Sequence, residues 1–229
     1  MKVLGSLTFL ACLYLCSGSR RDGIQRPCDL CDMDCISRVF SQELRCNPNQ
    51  RDIPYSRIFK YLPLNYPSSN TSILYLNAKA NGINDFTVNE FYINRKTKTL
   101  VMEVVFNQLD VESPDTIGYF YRKGREPVVT EGYCSTIYNN YSLTLTVFNV
   151  DGRANRDPCD YQVYTYVTDA GAPLGYSRSF VPTDPEALHE YDVFYDKLGL
   201  SLQEEAKNQG PLLMSYILPC DLQLSQFPK

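Results

Sequence analysis

The chain has 229 residues, 44% of them apolar and 21% charged, a balance that supports one full hydrophobic core, or at most two small ones, and excludes a disordered chain. Its formal net charge of -4 lacks the basic excess that nucleic-acid binding demands. Eighteen tyrosines and no tryptophan predict a core that is amphipathic in places, because a buried phenol needs a hydrogen-bond partner.

The first segment sets the compartment. Lys2 precedes a mainly apolar run from Val3 to Cys16, densest from Phe9 onward, and the small residues Ser17, Gly18 and Ser19 follow. This is the pattern of a secretory signal peptide, too short and wrongly flanked for a membrane span. Cleavage is expected after Gly18 or Ser19, with residues 1–18 as signal and 19–229 as a single domain. No later apolar run approaches the roughly 20 residues needed to cross a bilayer, so the mature protein is expected to be secreted and extracellular, with no membrane span. The polar stretch from Ser19 to Gln25, with Arg20-Arg21, reads as a flexible N-terminus rather than a processing site.

A cysteine-dense segment comes next. Cys12 and Cys16 leave with the signal, and Cys28, Cys31, Cys35, Cys46, Cys134, Cys159 and Cys220 remain. Cys28-x2-Cys31-x3-Cys35, with Cys46, has the spacing of a thiolate metal site, but secreted thiols oxidise, so disulfides are the expected reading and no metal is assigned. Seven cysteines predict three bridges and one odd residue, in about 105 arrangements that spacing alone does not resolve. Around them Asp32 and Asp34 suit a helix N-terminus, and Ile36, Val39, Phe40 and Leu44 form one apolar stripe. Asn47-Pro48-Asn49 ends that helix. Ile53 to Pro67, with prolines at 54, 63 and 67, reads as extended chain with at most one helical turn.

The middle of the chain reads as strands: Ser72–Leu76, Phe86–Ile93, Leu100–Phe106, Tyr141–Val150 and Tyr161–Val167 are rich in β-branched and aromatic residues. Leu143, Leu145 and Val147 alternate with Thr144 and Thr146, a period of two. Leu100–Phe106 is apolar on both faces except at Glu103, which suits a strand covered on both sides. The polar break Asn94–Lys98 predicts a hairpin, and centring it on Lys96 places Phe86 directly across from Phe106. Helical signals return at the end. Asp184-Pro185-Glu186 is a cap, a first-turn proline and an acidic residue, Ser201 with Glu204 reads as a capping box, and Gly210-Pro211 is expected to break or kink the last helix. The element pattern is α+β.

Two sequons, at Asn70 (Asn70-Thr71-Ser72) and Asn140 (Asn140-Tyr141-Ser142), are N-glycosylation candidates in this compartment, Asn70 the favoured one. The single histidine, His189, stands beside Glu190 in a predicted helix and reads as a surface or packing residue. No zinc-protease, nucleophile-elbow or phosphate-loop motif is present. No catalytic residue and no cofactor are assigned.

Two family resemblances enter here. Asn81-Gly82-Ile83-Asn84-Asp85-Phe86-Thr87-Val88, followed by Leu100–Asp110 and the strand and turn Tyr119–Gly124, resembles the insect juvenile-hormone-binding and takeout-like proteins, as does the spacing of Cys28 and Cys35. This resemblance implies a tubular lipid-binding fold: a long, strongly curved antiparallel sheet around a C-terminal helix, with a short disulfide-tied N-terminal helix. Arg26-Pro27-Cys28, Cys35-Ile36-Ser37, Cys46-Asn47-Pro48, the Asn70 sequon, Glu90-Phe91, Asn94, Lys96-Thr97, Leu109-Asp110, Glu112-Ser113 and Cys220-Asp221 are similar to the fibrohexamerin family of lepidopteran silk glycoproteins. That resemblance implies a non-enzymatic protein that aids secretion and assembly of fibroin heavy and light chains, mainly without covalent links. The chain departs from it by carrying Phe86 and Phe106 where the family has cysteines, and by adding Cys31 and Cys134. The favoured bridges are Cys28–Cys35 and Cys159–Cys220, with Cys31 as the odd cysteine. The competing reading is an extracellular carrier of a small apolar molecule such as a hormone or lipid.

Overall fold

The computed structural model describes residues 23–44, 52–150, 161–169, 174–178, 181–218, 220 and 222. The signal-like run, Cys46 and Cys159 lie outside them. Two 24-residue strands, β5 (Thr99–Arg122) and β6 (Arg125–Phe148), form the spine. They pair from Thr99↔Phe148 to Arg122↔Arg125 across the turn Lys123-Gly124. There Gly124 supplies a φ of +68°, the left-handed backbone that tight hairpins ask for.

On one flank, β4 (Phe86–Asn94) pairs with the first half of β5 and carries the two-residue β1 (Ile24–Gln25) outside it. β3 (Thr71–Asn81) pairs with the second half of β5 and carries β2 (Ser56–Tyr66). On the other flank, β7 (Gln162–Asp169) and β8 (Leu174–Arg178) pair with the C-terminal and N-terminal parts of β6. All eight strands are antiparallel, and the sheet has two tiers along its spine: a lower one through β1, β4 and β7, and an upper one through β2, β3 and β8.

The sheet bends because its buried face changes parity within strands. In β3 the buried residues run Thr71, Ile73, Tyr75, then Ala78 and Ala80, and the ladder to β2 skips Lys60 opposite Asn77. In β6 the buried residues run Cys134, Thr136, then Tyr141, Leu143, Leu145 and Val147, with Ser142 and Thr144 also buried on the opposite face, and the ladder to β5 skips Asn107 opposite Asn140. Asn77 and Asn140 take φ of 53° and 54°, a left-handed backbone that asparagine tolerates better than other side chains. Core residues of one parity then give way to core residues of the opposite parity without turning the apolar face outward.

The β4–β5 hairpin combines a correct pairing with a different turn. Phe86 lies opposite Phe106, ring centroids 6.0 Å apart. The loop, however, is the four residues Arg95–Lys98, so pairing starts at Asn94↔Thr99, one step from the register expected of a turn centred on Lys96. A bulge at Asn89 between Val88 and Glu90 restores the expected register.

Three helices complete the fold: α1 (Met33–Leu44), α2 (Pro185–Asp196) and α3 (Leu198–Ile217). Asp32 Oδ1 accepts from Cys35 N–H at the start of α1 (2.9 Å), and Ile36, Phe40 and Leu44 are buried. They pack into the larger core with Phe91, Leu100, Met102, Val104, Leu143 and Leu145. Arg95 in the β4–β5 turn clamps α1 through a two-pronged bond to Glu43 (3.0 and 2.5 Å); that hydrogen bond first, and then the Glu43 charge, raises the guanidinium's pKa against the opposing pull of burial. α2 covers the upper tier, where Tyr66, Phe120, Tyr191 and Phe194 form a second, aromatic core.

Several expectations need correction. Ser201 and Glu204 are not a capping box, because α3 begins at Leu198 and leaves Ser201 inside it, its hydroxyl buried with no hydrogen-bond partner among the described residues. Glu204 instead accepts from the amide and hydroxyl of Ser68 (3.1 and 3.0 Å). Gly210-Pro211 does not break α3, which runs to Ile217. The glycine is there for proximity: a side chain would collide with Thr165 of β7. Leu100–Phe106 is sealed on one face, with Leu100, Met102, Val104 and Phe106 fully buried, while Val101, Glu103 and Val105 are half-buried. Ile53–Pro67 is extended as expected, but as a paired edge strand followed by a 3-10 turn at Pro67–Ser69. An edge position is where a sheet accepts a proline such as Pro63.

The cysteines divide unevenly. Cys28 and Cys35 are bridged, with Cα atoms 5.8 Å apart, which removes two sulfurs from any four-thiolate site. Cys220 is also disulfide-bonded; its expected partner Cys159 lies outside the described residues. Cys31 is a free, exposed thiol. Cys134, placed among the disulfide candidates, is instead a free thiol buried beside Tyr75 Oη and Thr136 Oγ1 (both 3.7 Å). With two free thiols, the seven downstream cysteines admit at most two internal bridges, not three.

Candidate functional site

The sheet is open between β2 and β7, and α3 fills the gap. Gln203 acts toward β7 as another strand would: its Nε2 donates to Val167 O (2.5 Å) and its Oε1 accepts from Val167 N–H (3.1 Å). Thr165 Oγ1 donates to Ala206 O. On the other edge, Gln209 Nε2 donates to Pro63 O (3.2 Å), and Tyr216 meets the Phe59 ring edge-on at 6.0 Å with the Arg57 guanidinium 5.1 Å from its centroid. Edge backbone that would otherwise invite another chain is thereby occupied.

Between α3 and the upper sheet lies an apolar cavity of about 80 Å³, with Phe59, Leu62, Tyr75, Leu109, Tyr141 and Glu205 in its lining. Tyr66 Oη donates to Glu205 Oε2 (3.2 Å). Burial, and then the Glu205 charge, push the Tyr141 phenol far above its ordinary pKa, so it stays protonated. The cavity is smaller than the ~150 Å³ void that admits benzene and well below the ~300–1,000 Å³ of small-molecule sites. In this conformation it has no room for a hormone-sized apolar ligand.

A larger, open cleft of about 630 Å³ lies between α2 and the β5–β6 turn, lined by Asn70, Tyr121, Arg122, Lys123, Pro185, Glu186, His189 and Glu190. Three polar contacts tie α2 and its cap to the segments around it: Arg122 Nη1 to Asp184 Oδ2 (3.1 Å), Arg125 Nη1 to Glu186 Oε1 (3.4 Å) and Asn70 Nδ2 to Glu190 Oε2 (3.3 Å). Asp184 caps α2 by accepting from the amides of Ala187 (3.0 Å) and Glu186 (3.1 Å). The Ala187 bond is the largest cause holding its carboxyl below the usual range; Arg122, the Glu186 amide and Arg125 add to it and desolvation opposes it.

The two sequons sit differently. Asn70 is exposed at the left-handed end of the 3-10 turn, φ 47°, and borders the cleft. Asn140 is exposed too, but it is the backbone pivot of β6, and Ser142 of its sequon is buried, donating to Glu103 Oε1 (2.7 Å). His189 is exposed on α2 at the cleft. Sequence reasoning missed the cleft because its walls come from three distant segments.

One further surface stands out. β2 exposes Ile58 (66%) and Tyr61 (64%) with Tyr55 beside them, and Ser56–Tyr66 carries Arg57 and Lys60 but no acidic residue. Among the described residues no group of three or more His, Cys, Asp or Glu is placed to hold a metal, and no helix is long and apolar enough to cross a membrane.

Comparison with known proteins finds relatives of the chain. Over 167 residues the chain is 29% identical to Fibrohexamerin of Galleria mellonella, covering 72% of this chain and 75% of that protein. The crystal structure of Takeout 1 from Epiphyas postvittana aligns with 89% of this chain and 97% of its own at 14% identity and a TM-score of 0.42. The family model of Fibroin P25 matches residues 24–184, from β1 to the cap of α2, and the chain belongs to the Fibroin P25 family.

Proposed function

We propose that this protein is a secreted, non-enzymatic silk glycoprotein, carrying a glycan at Asn70, that assists the assembly and secretion of fibroin heavy and light chains through mainly non-covalent contacts. The match of the Fibroin P25 family to residues 24–184 carries the reading. The exposed, apolar and basic outer side of β2 supports a docking role. The alternative, a carrier of a small apolar molecule, draws on the cavity beneath α3, whose ~80 Å³ argues for the assembly reading unless α3 moves away from the sheet.

The test is co-purification of the tagged full chain from silk-gland extract. Fibroin chains retained under reductant and released by denaturant are the expected result. Release by reductant alone would point to a covalent link through a free thiol such as Cys31. A preparation free of fibroin that carries an apolar small molecule on native mass analysis would overturn the assembly reading in favour of the carrier.

A further inference from the structure

We infer that the cleft between α2 and the β5–β6 turn seats the inner sugars of the Asn70 glycan and so fastens α2 to the turn. The inference rests on the reading of Asn70 as glycosylated. Attachment replaces one Nδ2–H by a bond to the anomeric carbon of N-acetylglucosamine. The sugar comes from a lipid-linked pyrophosphate donor: its anomeric C1–O bond to phosphate breaks as the N–C bond forms, and the lipid pyrophosphate and the displaced Nδ2 proton leave.

Asn70 itself lines the cleft, so its first sugar starts inside it. Nδ2 keeps one N–H after attachment, and Glu190 Oε2, now 3.3 Å away, remains available to accept it. Tyr121 is fixed next to this anchor, its backbone N–H donating to Asn70 O at 2.9 Å. Tyr121 is 47% exposed and lines the same cleft. An aromatic ring with an apolar body and a polar tip suits a surface that is partly wet, and the apolar C–H face of a pyranose packs on such a ring while its hydroxyls seek partners. Those partners border the cleft: Arg122, Lys123, His189 and Glu190. At about 630 Å³ the space lies within the ~300–1,000 Å³ of sites that hold small organic groups. A covalently tethered occupant also has a high effective concentration at its own cleft, so weak contacts suffice.

The test uses the full chain secreted from insect cells, alongside Tyr121→Ala. Glycopeptide mass spectrometry first reads occupancy at Asn70. Amidase release of the Asn70 glycan from native protein is expected to be about tenfold slower in the unaltered chain than in the variant, equivalent to ~1.4 kcal/mol, and equally fast in both after denaturation. Removing the glycan from the unaltered chain should also speed hydrogen exchange in α2, and should not do so in the variant. An occupied Asn70 whose glycan leaves both native proteins at one rate, with α2 exchange unaltered by its removal, overturns the seating and leaves the glycosylation reading standing. An unmodified Asn70 in the secreted protein overturns both.

Discussion

The lower and upper tiers share β5, β6 and the α3 helix that reaches both, but their cores are built differently. The lower core joins α1, β4 and the facing halves of β5 and β6 through side chains such as Ile36, Phe40, Phe91, Leu100, Met102 and Leu143, all fully buried. The upper core is smaller and aromatic: Tyr66 against Phe194 at 4.9 Å, Phe120 against Tyr191 at 6.0 Å. Around the upper core, charged pairs bridge α2 to the β5–β6 turn. Aliphatic packing stabilises in proportion to the area it removes from water and responds little to pH, whereas exposed ion pairs contribute little each and follow ionisation. The lower tier should therefore set global stability, and the upper tier should be the part that opens locally.

Truncation of a core ring in each tier gives the largest contrast. Phe91→Ala removes a fully buried ring stacked on Phe40 at 5.8 Å. A loss of about 3–5 kcal/mol in denaturant unfolding is expected. Phe194→Ala should instead speed hydrogen exchange in α2 while the exchange of β5 and β6 in the lower tier stays near its original level. Equal loss of protection in both tiers would show that they unfold as one unit.

Gly82→Ala is expected to cost less, about 1–3 kcal/mol. Gly82 has φ +85°, and an added side chain would collide with the Gln108 carbonyl in β5. Both penalties fall on the loop that leads from β3 into β4, so thermal unfolding should shift downward without separating the tiers.

Acid gives the smallest and most local effect. The folded Asp184 carboxyl is depressed, chiefly by the Ala187 amide. Its contribution is therefore fully present above the unfolded value near 3.9 and fades as pH falls through the lower folded value. Amide exchange in α2 should accelerate below about pH 4 ahead of exchange in the lower tier. Arg122→Gln should narrow that window, because Arg122 is among the groups that hold the carboxyl ionised.

Some of this architecture is legible in residue order. The cap Asp184-Pro185, the stripe Ile36–Phe40–Leu44 and the alternation at Leu143–Val147 are local patterns, and each element formed where its pattern lies. Phe86 opposite Phe106 was legible because a hairpin constrains pairing by counting alone, although the four-residue loop and the bulge at Asn89 offset each other. The asparagines at 77 and 140 were not legible as pivots, since nothing adjacent to them marks a left-handed backbone inside a strand. Cys134 shows the same limit from the other side: its residue type suggested a bridge, but burial beside Tyr75 and Thr136 leaves it a thiol.

Local rules, period and turn chemistry, act over a few residues, and so residue order alone determines the α+β element pattern, the strand run of the middle and the helices at both ends. What closes the molecule acts over far longer separations. Gln203 and Gln209 on α3 reach Val167 and Pro63 on opposite edges of the sheet, and Gly210 matters because Thr165 lies against it. The cleft at Asn70 likewise exists only once β5, α2 and the 3-10 turn have converged. Whether a glutamine caps a strand, a glycine admits a neighbour or an asparagine borders a cleft depends on what folding brings within about 3 Å of it, and no window along the chain contains that neighbour.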